Sequence, residues 1–265
     1  MKPETQYLLM KTNLIQSLIT QFNQSLLFFQ GRKNGWQLLL SFVCGLCLVW
    51  AFGWQHTPAM AQITQARIAE ILDGNQVYIQ NQPARVNAVA GVGKTVSTKQ
   101  SRANLLFNNN AGVRLGQNSA LTVGSQCVQL RGGRTIVSGT RGCVGSVTAV
   151  TRGTVYVMEM DENGQAQIKL LEGEIELSNQ QNPDIEPVLL SPGEKIDISS
   201  NGILGTILEL SQAEVEDILN GNLFEGFEEE LPGMDKLREV LKDKFPNISL
   251  PSIPLVEPPI IRPPF

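Results

Sequence analysis

The chain has 265 residues, with 21 Lys/Arg against 25 Asp/Glu, a net charge of −4 and a single histidine, His56. Beyond residue 61 there is no imidazole, which excludes a Ser-His-Asp or Cys-His catalytic arrangement from that part of the chain. Aromatic residues make up 6% and glycine numbers 24, so a core must rest on Val, Ile and Leu.

The first predicted element is the uncharged apolar run from Trp36 to Trp54. Arg32 and Lys33 precede it, and Thr57-Pro58 breaks it just before Ala59-Met60-Ala61. A basic flank, an apolar centre and a small-x-small triplet form the layout of a secretory signal, with cleavage expected between Ala61 and Gln62. The alternative is a retained anchor, because 19 residues approach the roughly 20 that a helix needs to cross the hydrocarbon core. Both readings place residues 62–265 outside the cytoplasm, since Arg32 and Lys33 favour its inner side. The expected location is periplasmic or secreted, or anchored in the inner membrane if the segment is retained.

Cleavage would remove Cys44 and Cys47 and leave Cys127 and Cys143. An even pair in an oxidising compartment predicts a disulfide, closing a loop worth about 3 kcal/mol on the chain-entropy model. Beyond residue 61 no Cys-x-x-Cys spacing and no histidine support a metal site, and no cofactor is expected.

Residues 62–205 read as strands and turns. Short β-type runs occupy 77–79, 103–107, 113–115, 120–123, 147–150, 155–159, 167–171, 174–177, 188–190 and 195–198. Turn signals separate them, among them Asp73-Gly74, Gly132-Gly133 and Asp161-Glu162-Asn163-Gly164. Val155-x-Val157 and Ile175-x-Leu177 alternate as strands with one buried face do. About ten such strands predict an all-β sandwich, roll or solenoid-like domain. The segment 206–245 is acidic and helical. Ser211 caps one helix with Val215, Ile218 and Leu219 on its apolar side, and a second runs from Met234 to Lys244. The stretch 246–265 is proline-rich and expected to be extended.

Charge is divided along the chain. Residues 62–153 hold ten Lys/Arg against two acids, a net of +8, and residues 154–265 hold seven against 22, a net of −15. Either the halves neutralise each other in the fold or the basic half faces an anionic partner. An exported location argues against nucleic acid.

Two patterns invite chemical readings. Ala88-Val89-Ala90-Gly91-Val92-Gly93-Lys94-Thr95 resembles a phosphate loop, but no helix pattern follows it, so a glycine turn is expected. Glu172, Glu174 and Glu176 at spacing two would share one strand face, either as a hydrolase carboxylate pair or as a solvated edge.

Three blocks resemble the FecR domain, an extracytoplasmic all-β module of bacterial envelope proteins. The first is Val92 to Thr98 with Ser101-Arg102-Ala103-Asn104-Leu105-Leu106-Phe107, and the second is Gly112 to Ser119. The third is Arg152-Gly153-Thr154-Val155-Tyr156-Val157, then Asn163-Gly164 and Leu170-Leu171-Glu172-Gly173-Glu174-Ile175-Glu176-Leu177, closed by Pro192-Gly193-Glu194-Lys195. The resemblance spans roughly residues 68–200. Within it, Gly153 and Gly173 are expected at turns or close strand contacts. Thr154 is expected to bond backbone at a strand entrance, and Arg152 to be a paired structural arginine or a binding residue.

The resemblance implies a non-enzymatic module that binds or senses in the envelope, with an envelope protein or a glycan as partner. A structural envelope protein and a membrane-anchored signal transducer are the alternatives. The family's signalling members carry a cytoplasmic domain before their membrane helix. Only 35 residues precede the apolar run here, which favours the stand-alone module.

Overall fold

Seventeen strands and two helices follow one another in the computed structural model, which describes residues 62–151 and 153–248. The first eight strands are β1 (Gln65–Leu72), β2 (Val77–Ile79), β3 (Gln82–Pro83), β4 (Val89–Gly91), β5 (Thr95–Thr98), β6 (Arg102–Phe107), β7 (Gly112–Leu115) and β8 (Ala120–Val123). Next come β9 (Val128–Ser138), β10 (Gly142–Val144), β11 (Val147–Thr151), β12 (Val155–Met160), β13 (Ala166–Glu172) and β14 (Ile175–Asn179). The chain continues with β15 (Val188–Leu190), β16 (Glu194–Ile198), β17 (Leu204–Glu209), α1 (Gln212–Leu219) and α2 (Met234–Lys244).

Pairing divides these strands into two sheets that share β9, so the all-β sandwich expectation holds. The first sheet runs β4-β1-β6-β7-β9-β12-β13-β16-β17. The second runs β3-β2-β5-β8-β9-β10-β11-β14-β15. Every neighbouring pair is antiparallel except β9 with β10. After β9 the chain adds hairpins alternately: β10–β11 to the second sheet, β12–β13 to the first, β14–β15 to the second and β16–β17 to the first.

β9 makes this architecture possible. Its first half pairs with β8 in the second sheet and its second half with β7 and β12 in the first. The corner is at Gly132-Gly133, which the sequence reading took for a turn between strands. Gly133 has φ +81, and a Cβ there would lie 2.6 Å from the Asn118 carbonyl oxygen and against Ser119. Only glycine fits that backbone and that gap. β10 then returns to the second sheet parallel to the start of β9, with Cys143 opposite Gln129.

Cys127 and Cys143 form a disulfide across this circuit, with Cα atoms 5.8 Å apart and a sequence separation of 16. A closed loop of that length stabilises by about 3 kcal/mol. Replacing both cysteines by serine should lower the urea midpoint by the equivalent of that amount, and reductant should produce the same shift in the wild-type chain. An unchanged midpoint in both would show that the bond constrains nothing.

Between the sheets lies one apolar cluster, which includes Ile68, Leu105, Leu115, Leu130, Val137, Tyr156, Met158, Ile168, Leu170 and Ile175. A second cluster lies on the outer face of the first sheet, where Ile136, Val155, Val157 and Leu171 meet Val215, Ile218, Leu219, Leu223, Leu237 and Leu241. The C-terminal segment is therefore a third layer rather than an appendage. It also corrects the expectation of one buried face: β7 is buried at all four positions and β12 at its first four, because this sheet is covered on both sides. In the second sheet, β11 and β14 keep the alternating pattern. The boundary drawn at residue 205 falls inside β17, which runs to Glu209.

The two helices start and stop where the sequence indicated. The Ser211 hydroxyl accepts from the Glu214 N–H and the Glu214 carboxylate accepts from the Ser211 N–H, a reciprocal capping box. α2 spans Met234–Lys244 as expected, with Asp235 in its first turn and Lys242 and Lys244 in its last, matched to the helix dipole. Ala61, Arg152 and the proline-rich stretch from residue 249 lie outside the described residues.

Candidate functional site

Three of the motif residues, Gly153, Thr154 and Gly173, meet at one corner. Gly153 (φ +61) and Thr154 lead into β12, and Gly173 (φ +86) leads out of β13. A Cβ on Gly173 would lie 2.5 Å from Thr154 Cγ2 and 3.0 Å from the Gly153 carbonyl oxygen, so glycine lets the two turns touch. Thr154 is buried, but its hydroxyl finds no hydrogen-bond partner among the described residues. Its carbonyl, not its side chain, receives the Gly139 N–H at 3.1 Å, which corrects the expected side-chain bond to backbone. The Thr154 methyl packs closely against Gly173.

The most developed polar arrangement lies beyond that corner, on the outer face of the first sheet. β-strand parity sends Ala103, Leu105 and Val113 to the inner core, and Arg102, Asn104 and Arg114 outward. There they meet the strap between α1 and α2, residues 221–232. Arg102 donates to the Asn222 and Glu225 carbonyls at 2.9 and 2.6 Å, and to both Asp73 carboxylate oxygens at 2.5 and 3.0 Å. Arg114 donates to the Leu223 and Glu229 carbonyls at 3.1 and 2.6 Å. Its guanidinium stands 4.4 Å from the Phe227 ring centre and 5.7 Å from that of Phe224, and Arg102 stands 5.4 Å from Phe227. The Glu70 carboxylate completes the clasp. It accepts from the N–H groups of Glu228 and Glu229 at 2.9 and 3.3 Å, and from the Asn104 amide at 3.3 Å. Ser138 donates to the Pro232 carbonyl.

Electrostatics follow from this geometry. Burial pushes the Arg114 pKa down to about 10, against the pull of Glu70 and Glu230. Hydrogen bonding to Arg102 holds the Asp73 carboxyl below its ordinary range. Lys195, bonded to Glu214 on the first turn of α1, holds that carboxyl down at about 2, aided by the Ser211 N–H. A carboxylate whose pKa falls on folding adds stability above its unfolded value and loses it as pH drops through the folded one. Glu214 therefore supports α1 docking above about pH 4.5 and ceases to do so toward pH 2. The urea midpoint should fall on acidification through this window, and fall less in Glu214→Gln. Equal acid sensitivity in the two proteins would count against the linkage.

Two features singled out in sequence do not assemble. The phosphate-loop-like stretch forms β4, a turn and β5, and no helix follows to present N–H groups to an anion. Thr95 instead bonds Thr122 across the sheet at 2.9 Å. The three glutamates do not share a strand face. Glu172 ends β13 in the first sheet and is buried, with burial pushing its pKa up against the pull of Lys236. Glu176 lies on β14 in the second sheet and is exposed. The turn at Gly173 separates them. Among the described residues no group of three His, Cys, Asp or Glu side chains is placed to hold a metal ion. No described helix is long and apolar enough to cross a membrane.

The described surface carries open grooves, among them two of more than 500 Å³. One of about 520 Å³, on the second sheet, is lined by Tyr78, Asn81, Ser97, Lys99 and Asn118. The other, of about 530 Å³ beside the β12–β13 hairpin, is lined by Glu159, Asp161, Gln167, Asp197 and Ile203.

The sequence matches no family model, and no curated protein matches it. Among solved structures, similar chains include two crystal structures of a candidate anti-sigma factor from Parabacteroides distasonis ATCC 8503, at 1.65 and 2.50 Å resolution. The first is 12% identical over 48% of this chain and 65% of that one, with a TM-score of 0.41. The second is 11% identical over 47% and 64%, with a TM-score of 0.40. The present chain thus spans just under two thirds of the length of each.

Proposed function

We propose that this chain is an exported, non-enzymatic FecR-like module that binds or senses a partner in the bacterial cell envelope, an envelope protein or a glycan. The observation that carries the export is the Cys127–Cys143 bond, which spans one circuit of the chain and is of the kind that forms and persists in oxidising compartments. The meeting of Gly153, Thr154 and Gly173 at one corner supports the FecR resemblance, because separate sequence blocks become one packed contact. The groove with Tyr78, Asn81 and Lys99 offers an aromatic face and amide and ammonium groups of the kind that hold a polar ligand such as a sugar.

The deciding experiment combines fractionation with mass spectrometry of the N-terminus. A mature terminus at Gln62 in the periplasmic or extracellular fraction is the expected result. A retained N-terminus in the membrane fraction would overturn the stand-alone module and favour the membrane-anchored regulator. Thiol labelling of cells should modify neither Cys127 nor Cys143 before reduction. Labelling of both without reductant would overturn export itself.

A further inference from the structure

Both sheets of the sandwich are open. Among the described residues, β3 pairs only with β2 and β4 only with β1 at the first end, and β15 pairs only with β14 and β17 only with β16 at the last. Every large apolar side chain that stands exposed among the described residues belongs to one of these ends. Val86, Val89 and Val92 lie on or beside β4. Ile185 and Leu189 lie at β15, and Ile203, Ile207 and Leu208 at β17. Val89 is 51% exposed and Leu208 48%. Open strand edges with uncovered apolar residues are templates for further pairing, which a solitary domain blunts or covers.

The two ends also differ in sign. Between Gln62 and Lys99 the chain holds Arg67, Arg85, Lys94 and Lys99 against Glu70 and Asp73. Both of those acids are engaged, Glu70 by strap N–H groups and Asp73 by Arg102. Between Gly173 and Leu210 there are seven acids and a single base, Lys195, which is paired with Glu214. Like charge disfavours joining two copies by the same end, whereas opposite charge favours joining first end to last.

We propose that copies of this chain associate head to tail, with the β3/β4 end of one against the β15/β17 end of the next. Strand addition of β4 to β17 would extend the first sheet across the junction, with Val89 against Ile207 of the neighbouring copy, while β3, two residues ending in Pro83, offers no ladder. A heterologous contact of this kind leaves a free end at each step and builds an open chain rather than a closed dimer. A second copy is the favoured occupant because it presents complementary charge, matching apolar residues and two free strand edges together. The stretch 249–265 of the same chain is poorly suited to strand addition, since its prolines lack the N–H groups that a ladder needs.

The test uses the full chain in a mild detergent. Sedimentation velocity should show mass rising with protein concentration, and the association should weaken as ionic strength increases from about 0.05 to about 0.5 M. Val89→Glu and Ile207→Lys should each weaken self-association by at least about tenfold. Val92→Glu and Leu208→Lys provide second variants, with circular dichroism to establish that all four are folded. In a Cys44→Ser/Cys47→Ser background, Val89→Cys mixed with Ile207→Cys should give an oxidised cross-linked dimer, and neither variant alone should. A monomer at every concentration overturns the proposal. So does an association that folded charge variants leave unchanged, or cross-linking within a single variant, which would mean a same-end contact.

Discussion

Replacing Gly133 by alanine should destabilise the protein by about 4 kcal/mol, whereas the same change at the adjacent Gly132 should cost less than about 1 kcal/mol. Both glycines lie at the corner where β9 leaves one sheet for the other. Gly132 has an ordinary backbone and nothing within 4 Å of an added Cβ. Gly133 has φ +81, and its added Cβ would press on the Asn118 carbonyl and on Ser119 Cα, each 2.6 Å away. The neighbour cannot yield cheaply, because Ser119 is fixed on three sides. Its N–H donates to the Thr98 hydroxyl, its own hydroxyl donates to the Gln117 and Arg134 carbonyls, and that hydroxyl accepts from the Arg134 N–H. Urea unfolding of the two single variants decides the matter. Equal midpoints would mean that the corner relaxes, and that β9 does not depend on this backbone conformation.

The same corner shows where the sequence was readable and where it was not. Strands bounded by turn residues at both ends were legible, and β2, β8 and β15 begin and end as the pattern indicated. Both helices were legible from Ser211 and from the apolar spacing of 234–244. β9 was not, because a glycine pair inside a strand and one between strands look alike until the partners on both sides are known. β1 was missed for a different reason. Gln65–Leu72 is rich in Ala, Arg, Glu and Leu, residues with high helix propensity, and only pairing with β4 and β6 holds it extended. β17, with five of six positions exposed, has no buried face to imprint a period-two pattern.

The charge asymmetry was legible as a fact, but its use was not. The basic and acidic halves do meet in the fold, but mostly through backbone groups rather than through ion pairs between side chains. Arg102 and Arg114 reach backbone carbonyls of the strap, over sequence separations of 109 to 123 residues. Glu70 takes backbone N–H groups from the same segment. A carbonyl leaves no trace in composition, so no counting of acids could have located these partners. The side-chain pair Arg134–Asp217 lies nearer the surface, where such a bridge contributes little.

Arg114→Met should therefore loosen the strap more than any surface charge change does, with a loss on the order of 4 kcal/mol. Methionine keeps the unbranched apolar stem of the side chain and removes the guanidinium with its donors. The Leu223 and Glu229 carbonyls then lose their bonds, and the Phe224 and Phe227 rings lose the cation packed against them. The burial that pushes the Arg114 pKa down to about 10 is a cost that the variant recovers, which keeps the net loss below the sum of the contacts. Arg114→Lys should fall between, since an ammonium retains the charge but cannot span two carbonyls with a planar fork. The loss should also be local before it is global. α1 and α2 remain held by Val215, Ile218, Leu237 and Leu241, so the strap between them is released first. Amide exchange reads this directly: the Glu228 and Glu229 N–H groups that donate to Glu70 should exchange faster in Arg114→Met, while those of β12 and β13 keep their protection. Unchanged exchange at 228 and 229, with an unchanged urea midpoint, would show that the apolar cluster alone fixes the third layer and that the buried arginine is dispensable to it.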